Sequence, residues 1–301
     1  FDAIHVHDLP LSRVGFYFKK KFGARLILDQ HEFYSNWIKD TAHMNTKIGK
    51  IVSSLSNWEK YEKKYLELAD LDITVAKPLE DNYLKKYDLQ KDKIITVPNT
   101  PLNSLFNQKN IMPEIVELYK NKFVVFYAGK IDILRGIDTP IKALPLLIDK
   151  IPNIKLVLGG KIVKPYDPFK TARILNVEEY LEFVGWIDEK KLPSYIAASN
   201  VCFFTPPPNR DEINKTIATK IYQYALMGKP IIVSEAQMMK EFIENNKLGI
   251  SIHSEDSFSF ARAVMQINKG DLIFNNKMSF LFWEETIKPL YDNYRNLNKQ
   301  D

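Results

Sequence analysis

The chain holds one cysteine, Cys202, within the apolar run VCFF. That excludes an internal disulfide and suits a small buried core residue. A lone thiol fits a reducing compartment, so a cytoplasmic location is expected. No apolar run approaches the length of a membrane-spanning helix, and no stretch reads as a signal peptide. No internal repeat or low-complexity tract stands out. No group of His, Cys and Asp has the spacing of metal ligands, so no metal is expected. Charge of one sign is also in short supply. The net charge is +5 over 301 residues, with bases and acids interleaved, so nucleic acid is not the leading partner. Anionic substrates or an acidic membrane surface fit at least as well.

What is present is a globular composition, 45% hydrophobic and 26% charged, long enough for two domains. The most informative stretch is FVVFYAGKIDILRG, Phe123 to Gly136. Phe123 to Ala128 reads as a buried strand, and Gly129 follows where a tight turn needs a residue without Cβ. Lys130 and Arg135 then stand in the turn. Asp138 sits where a helix cap belongs, before a helix over 138–150 with Ile141, Leu144, Leu147 and Ile148 on one face. In an open parallel α/β sheet, ligands bind at the carboxyl ends of strands, and two cations there suit a phosphate or diphosphate. The alternative is that both are solvated loop charges.

The rest of the chain supports a parallel sheet. After the first strand come strands at 155–158, 181–184, 201–205, 230–234 and 249–253, with helices between several of them. Earlier, strands at 3–6, 26–28, 71–75 and 94–97 repeat the pattern, with a helix ending at Gly23. Trp58, Tyr61, Tyr65 and Leu68 lie at helical spacing in the lysine-rich stretch 37–68. They read as an amphipathic helix packed on its own domain, with a membrane-contact face as the alternative. A helix from about Thr216 to Met227 begins after the loop NRDEINKT. Its free N–H groups, the hydroxyls of Thr216 and Thr219, and Lys220 make a second anion site, expected to join Lys130 and Arg135 around a diphosphate leaving group.

YAGKIDILRG, KIYQYALMGKPIIVS, IHVHD, LDQHEFYS, FVGWID and VPNTP, in their order along the chain, resemble a glycosyltransferase of the GT-B fold, close to glycosyltransferase family 4. The resemblance implies α/β architecture with two Rossmann-like domains facing a cleft. The division it suggests is 1–105, with the closing helix 283–301, as an acceptor-side domain; 106–121 as linker; and 122–282 as the nucleotide-sugar-binding domain. The chain opens on a strand-like segment at Phe1, so the first domain is expected to lack its start.

The implied activity is metal-independent, retaining transfer of a sugar from a nucleotide-sugar donor to a glycan or lipid-linked acceptor, in cell-surface polysaccharide synthesis. No cofactor is implied beyond the nucleotide-diphosphate sugar itself. A peripheral position at the inner face of a membrane is left open. By the resemblance, Lys130 and Arg135 bind the diphosphate and His7 contacts the donor sugar. Gly129, Gly185, Trp186, Thr216, Thr219, Lys220 and Gln223 line the nucleotide site. Two positions depart from the family: Gln223 stands where a ribose-binding Glu is usual, and Lys215 where the preceding acid is. A glutamine accepts one hydrogen bond but donates the other. Two other readings therefore stay in play, a non-catalytic nucleotide-sugar-binding partner subunit and a nucleotide-sugar epimerase. His31 and Glu32 read as local hydrogen-bonding partners or a hinge on the acceptor side. His43 and His253 carry no motif and read as surface or structural.

Overall fold

A computed structural model describes residues 1–39, 54–276 and 278–297. The chain divides into two compact units. One comprises Phe1–Asn99, Arg210–Thr216 and Glu284–Asp301, the other Thr100–Asn209 and Ile217–Trp283.

The first unit is built on four parallel strands in sequence order: β1 (Ala3–His7), β2 (Arg25–Gln30), β3 (Leu71–Thr74) and β4 (Ile94–Thr96). Helix α1 (Ser12–Phe22) joins the first two and stops at Gly23, whose φ of +67° gives a left-handed cap. Helices α2 (Tyr34–Lys39) and α3 (Leu55–Leu68) precede β3. His43 and residues 40–53 of the lysine-rich stretch lie outside the described residues. The aromatic stripe on α3 packs on its own unit: Tyr65 is buried against Phe16, and the Tyr61 hydroxyl donates to the Pro10 carbonyl. Helix α4 (Lys77–Tyr87) has no counterpart in the sequence expectation. Its left-handed cap is Asp88 (φ +53°) rather than a glycine, so its stop carries no glycine signal. The buried Glu62 of α3 accepts hydrogen bonds from the Tyr83 and Tyr87 hydroxyls of α4 and so fastens the two helices.

The second unit has six parallel strands: β5 (Phe123–Ile131), β6 (Ile154–Ile162), β7 (Leu181–Gly185), β8 (Val201–Phe204), β9 (Ile231–Ser234) and β10 (Gly249–Ile252). Their spatial order is β10-β9-β8-β5-β6-β7. The chain runs outward from β5 to β7, then returns to the far side of β5 and runs outward again. The order therefore reverses between β5 and β8, which opens a crevice at the carboxyl end of β5. β5 is longer than its sequence suggests. Gly129, Lys130 and Ile131 pair with Gly160, Lys161 and Ile162, so Lys130 is a strand residue and not part of a turn.

Helix α5 (Pro113–Leu118) packs on α8 (Leu192–Ala198), and the Met112 N–H donates to the Ser194 hydroxyl at 2.9 Å. Between them come α6 (Asp138–Leu147) and α7 (Pro168–Ile174). Asp138 is the first residue of α6 rather than its cap, and its carboxylate accepts from Tyr166 and Thr171. The helix expected from about Thr216 is α10 (Thr219–Leu226) in the second unit, and the loop before it holds a short helix not expected from the sequence, α9 (Asp211–Lys215), in the first. Helices α11 (Gln237–Asn245) and α12 (Ser257–Lys269) complete the second unit, with α12 against α6. The chain ends in α13 (Trp283–Thr286) and α14 (Lys288–Leu297). Among the described residues no helix is long and apolar enough to cross a membrane.

Helix α1 approaches its sheet closely at Gly15, where a Cβ would stand 2.5 Å from Val6 Cγ2 and 2.7 Å from Leu26 Cδ1. Both methyls belong to the core, so added volume has nowhere to go. Gly15→Val is expected to lower stability by about 2 kcal/mol through overpacking. A chemical-denaturation midpoint no lower than wild type would show that α1 is free to move off the sheet.

Candidate functional site

The carboxyl ends of β5 and β6 carry bare backbone. Gly129 and Gly160 face each other across the ladder with φ of +142° and +127°, values that L side chains rarely adopt. A Cβ on Gly160 would lie 1.8 Å from the Gly129 carbonyl oxygen. A Cβ on Gly129 would lie 2.9 Å from Lys220 Nζ, so the missing side chain makes room for an ammonium. A hollow of about 420 Å³ opens beside these glycines, within the range of small-molecule sites. Trp186, Glu189, Thr219, Lys220 and Gln223 are on its wall. Gly185, with φ of +71°, turns the chain out of β7 into Trp186, a residue 81% exposed. Thr219, Lys220 and Gln223 share one face of α10, one helical turn apart. The helix is tied to β5 by the Ala128 N–H, which donates to the Tyr224 hydroxyl at 3.1 Å.

Lys130 and Arg135 meet at one carboxylate. Lys130 Nζ is 3.3 Å from Asp132 Oδ2, and Arg135 Nε is 3.9 Å from Asp132 Oδ1. Asp132 is buried and its Oδ1 also accepts from the Leu134 N–H, which shapes the 3-10 turn Ile133–Arg135. Gly136 ends that turn with φ of +70°, and a Cβ there would meet the Thr205 carbonyl oxygen at 1.8 Å. The Thr205 hydroxyl donates to the Gly136 carbonyl, which pins the turn to the end of β8. Among the described residues, the buried Arg135 Nε has no hydrogen-bond partner. Lys220 lies close enough to Arg135 to feel its charge. Its Nζ stands over the rings of Tyr127 and Phe204, at 5.2 and 4.7 Å. Burial, helped by the charge of Arg135, pushes its pKa down to about 8.

The other expected site residues belong to the first unit. His7 ends β1 and is exposed, with Nδ1 3.3 Å from Asp29 Oδ2. His5 Nε2 donates to the same oxygen at 3.3 Å, and His31 Nε2 is 3.5 Å from Oδ1. Burial alone would raise the Asp29 pKa. The hydrogen bonds from His31 and His5 outweigh it and hold the carboxylate well below the usual range. Asp29 in turn raises the His31 pKa. The Glu32 carboxyl is raised by burial, then by Glu212 and Asp8. Thr216 does not join Thr219: its hydroxyl donates to the Glu212 carbonyl, and it lines a separate small hollow with Glu32 and Phe33. His253 is on the surface, 4.0 Å from Glu235.

The sequence profile described as glycosyl transferases group 1 matches residues 108–279, more than half of the chain. The chain belongs to this family. A curated relative, chitobiosyldiphosphodolichol beta-mannosyltransferase of Candida albicans, is 23% identical over 95% of the chain and 66% of its own length. The chain thus spans slightly less than two thirds of that enzyme. Sucrose-phosphate synthase from Thermosynechococcus elongatus superposes with a TM-score of 0.73 at 20% identity, over 100% of this chain and 75% of that one. Anabaena HepE in complex with UDP gives 0.69 at 15% identity, over 100% and 77%. These likenesses give the GT-B glycosyltransferase fold, with its two Rossmann-like units.

For a group 1 glycosyltransferase the structure adds residues that sequence reasoning missed. Asp132 was hidden as one acid in a loop. Gly160 was visible only as half of a Gly-Gly pair. His5, His7 and Asp29 form a cluster that ligand spacing along the chain does not show, because they lie on two strands.

The depressed Lys220 pKa gives a direct test. The ammonium is charged below about pH 8 in the folded protein. The unfolded chain holds its proton up to the ordinary lysine value, so this residue opposes folding below pH 8 and ceases to do so as pH rises through that window. Nitrogen NMR of labelled lysines is expected to show one side chain with a midpoint near 8, rising in Arg135→Gln. A Lys220 signal that titrates with the surface lysines would refute the burial of this ammonium beside Arg135.

Proposed function

We propose that this glycosyltransferase takes a sugar from a nucleotide-diphosphate sugar and transfers it, with retention, to a glycan or lipid-linked acceptor. One observation carries the donor reading. Lys130 and Arg135 converge on Asp132, Lys220 lies beside Arg135, and the buried Arg135 Nε has no hydrogen-bond partner among the described residues, all at a strand switch point. A diphosphate supplies the oxygens that these donors lack. Fixed cations would stabilise its departing charge without a metal ion on the phosphates. The exposed Trp186 offers an indole face to the base, and Gln223 and Glu189 offer polar atoms to the ribose. The crystallised Anabaena relative carries UDP, which supports a uridine nucleotide as the first to try. His7 would contact the donor sugar, and the diphosphate would take the acceptor's proton as it leaves.

Gln223 favours a second reading, a nucleotide-sugar-binding partner without turnover, because one ribose hydroxyl loses a carboxylate acceptor. Calorimetry with UDP and other nucleoside diphosphates, paired with hydrolysis of their sugars, separates the two. Lys130→Ala and Arg135→Ala are each expected to weaken binding by about tenfold or more, the size of a charge-assisted hydrogen bond. Affinity in the wild type is expected to fall above pH 8 as Lys220 loses its proton. Unchanged affinity in both variants would overturn the diphosphate assignment. Binding without hydrolysis of any donor would favour the partner reading.

The acceptor side of the proposal draws on α1. Leu11, Val14, Tyr17 and Phe22 are each more than half exposed. Lys20 Nζ lies over the Phe16 ring, and Lys21 Nζ over the rings of Tyr17 and Phe22. Apolar rings flanked by lysines suit the headgroup layer of an anionic membrane, where a lipid-linked acceptor would reside. The name of the Candida relative, which specifies a dolichol-linked acceptor, is consistent with this. Co-sedimentation with phosphatidylserine vesicles is expected, and loss of it in Tyr17→Ser/Phe22→Ser. Equal recovery with neutral and anionic vesicles, or none with either, would remove α1 from the acceptor model.

A further inference from the structure

β1 and β2 are paired in parallel register with His7 opposite Asp29. His5 and His7, two apart on one strand, project from the same face of the sheet. Their nearest nitrogens each stand 3.3 Å from a single oxygen, Asp29 Oδ2, and the three donor atoms all lie within 4.8 Å of one another. A tetrahedral zinc with bonds of about 2.0–2.1 Å places neighbouring ligand atoms roughly 3.3 Å apart; the two N···O separations match this, and the remaining one, within 4.8 Å, would close on binding. His31 Nε2 lies 3.5 Å from the other oxygen of Asp29. His5 is also oriented from behind: its Nδ1 is hydrogen-bonded to the Tyr294 hydroxyl at 2.7 Å. Such an outer-shell partner on the far ring nitrogen is the usual companion of a metal-bound imidazole.

We propose that His5, His7 and Asp29 form a site for a divalent transition metal, with Tyr294 as its outer-shell partner. Two imidazoles and one carboxylate favour zinc, cobalt, nickel or copper over magnesium or calcium, which prefer oxygen alone. His5 and His7 are exposed, which gives the ion a path from solvent. On binding, the His5 ring carries its proton on Nδ1, facing Tyr294, and presents the Nε2 lone pair to the metal. The His7 imidazole is then withdrawn from any other work. That consequence for transfer rests on the donor-sugar reading of His7; the metal binding itself does not.

The test uses the full untagged chain without nucleotide sugar, so its outcome is independent of the glycosyl-transfer reading. Cobalt(II) titration is expected to give the intense visible bands of a low-coordinate site with one equivalent bound, and zinc is expected to bleach them. His5→Asn and His7→Asn, both at exposed positions and checked for fold by circular dichroism, should each abolish the bands. Tyr294→Phe should weaken cobalt affinity by about tenfold while keeping them. Absence of bands at millimolar cobalt, or bands that persist in both histidine variants, would overturn the site.

Discussion

A buried carboxylate shared by two bases is the interaction on which the proposed donor site depends. Lys130 and Arg135 both approach Asp132, and Lys220 adds a third positive group beside Arg135. Like charges a few ångströms apart repel by about 4 kcal/mol near a protein surface. Asp132 offsets much of that cost and fixes where the cations rest. It cannot satisfy them, since at 3.9 Å the Arg135 Nε is beyond hydrogen-bond reach. The free protein thus keeps its positive groups gathered and under-bonded, the state in which an arriving dianion gains most. Lys220 has its pKa lowered chiefly by burial, with the charge of Arg135 adding to it.

The sheet supplies the room for this arrangement. β5 and β6 stay paired through the two glycines, and the strands carry Lys130 outward from the core on the ladder itself. The backbone left bare at Gly129 lets the Lys220 ammonium settle over the strand end. Gly136 lets the Arg135 turn press against Thr205. Each glycine therefore has a separate steric duty, and together they let the Arg135 turn after β5 and Lys220 of α10 approach each other.

This explains what could be read in advance. Parallel strands buried on both faces appear as unbroken apolar runs, and FVVFY, VCFF and IIVS were legible for that reason. The cations and the α10 residues were legible because they sit at the ends of such runs. Lys130 was misplaced into a turn because a glycine at a strand end normally marks one, whereas here Gly160 opposite lets pairing continue. Helix α12 was missed because its buried face includes small residues, Ala261 and Ala263, which weaken the apolar signal. Thr216 was assigned to the wrong side because nothing in NKTIAT marks the extended break between α9 and α10. The contact of Tyr294 with His5 spans almost the entire chain and leaves no local pattern.

Both units gather basic groups around one carboxylate at the ends of parallel strands, Asp132 in one and Asp29 in the other. The difference lies in the bases. An ammonium paired with a carboxylate and a guanidinium offer only N–H donors, so the Asp132 cluster is suited to oxygen-rich anions. An imidazole can shed its proton near neutrality and present a lone pair, so the Asp29 cluster can face a cation as well as hydrogen-bond. The same topology therefore yields opposite ligand preferences from side-chain chemistry alone. In the first unit, the strand-end position that brings His7 to the surface is also what leaves its nitrogen, with that of His5, open to a metal.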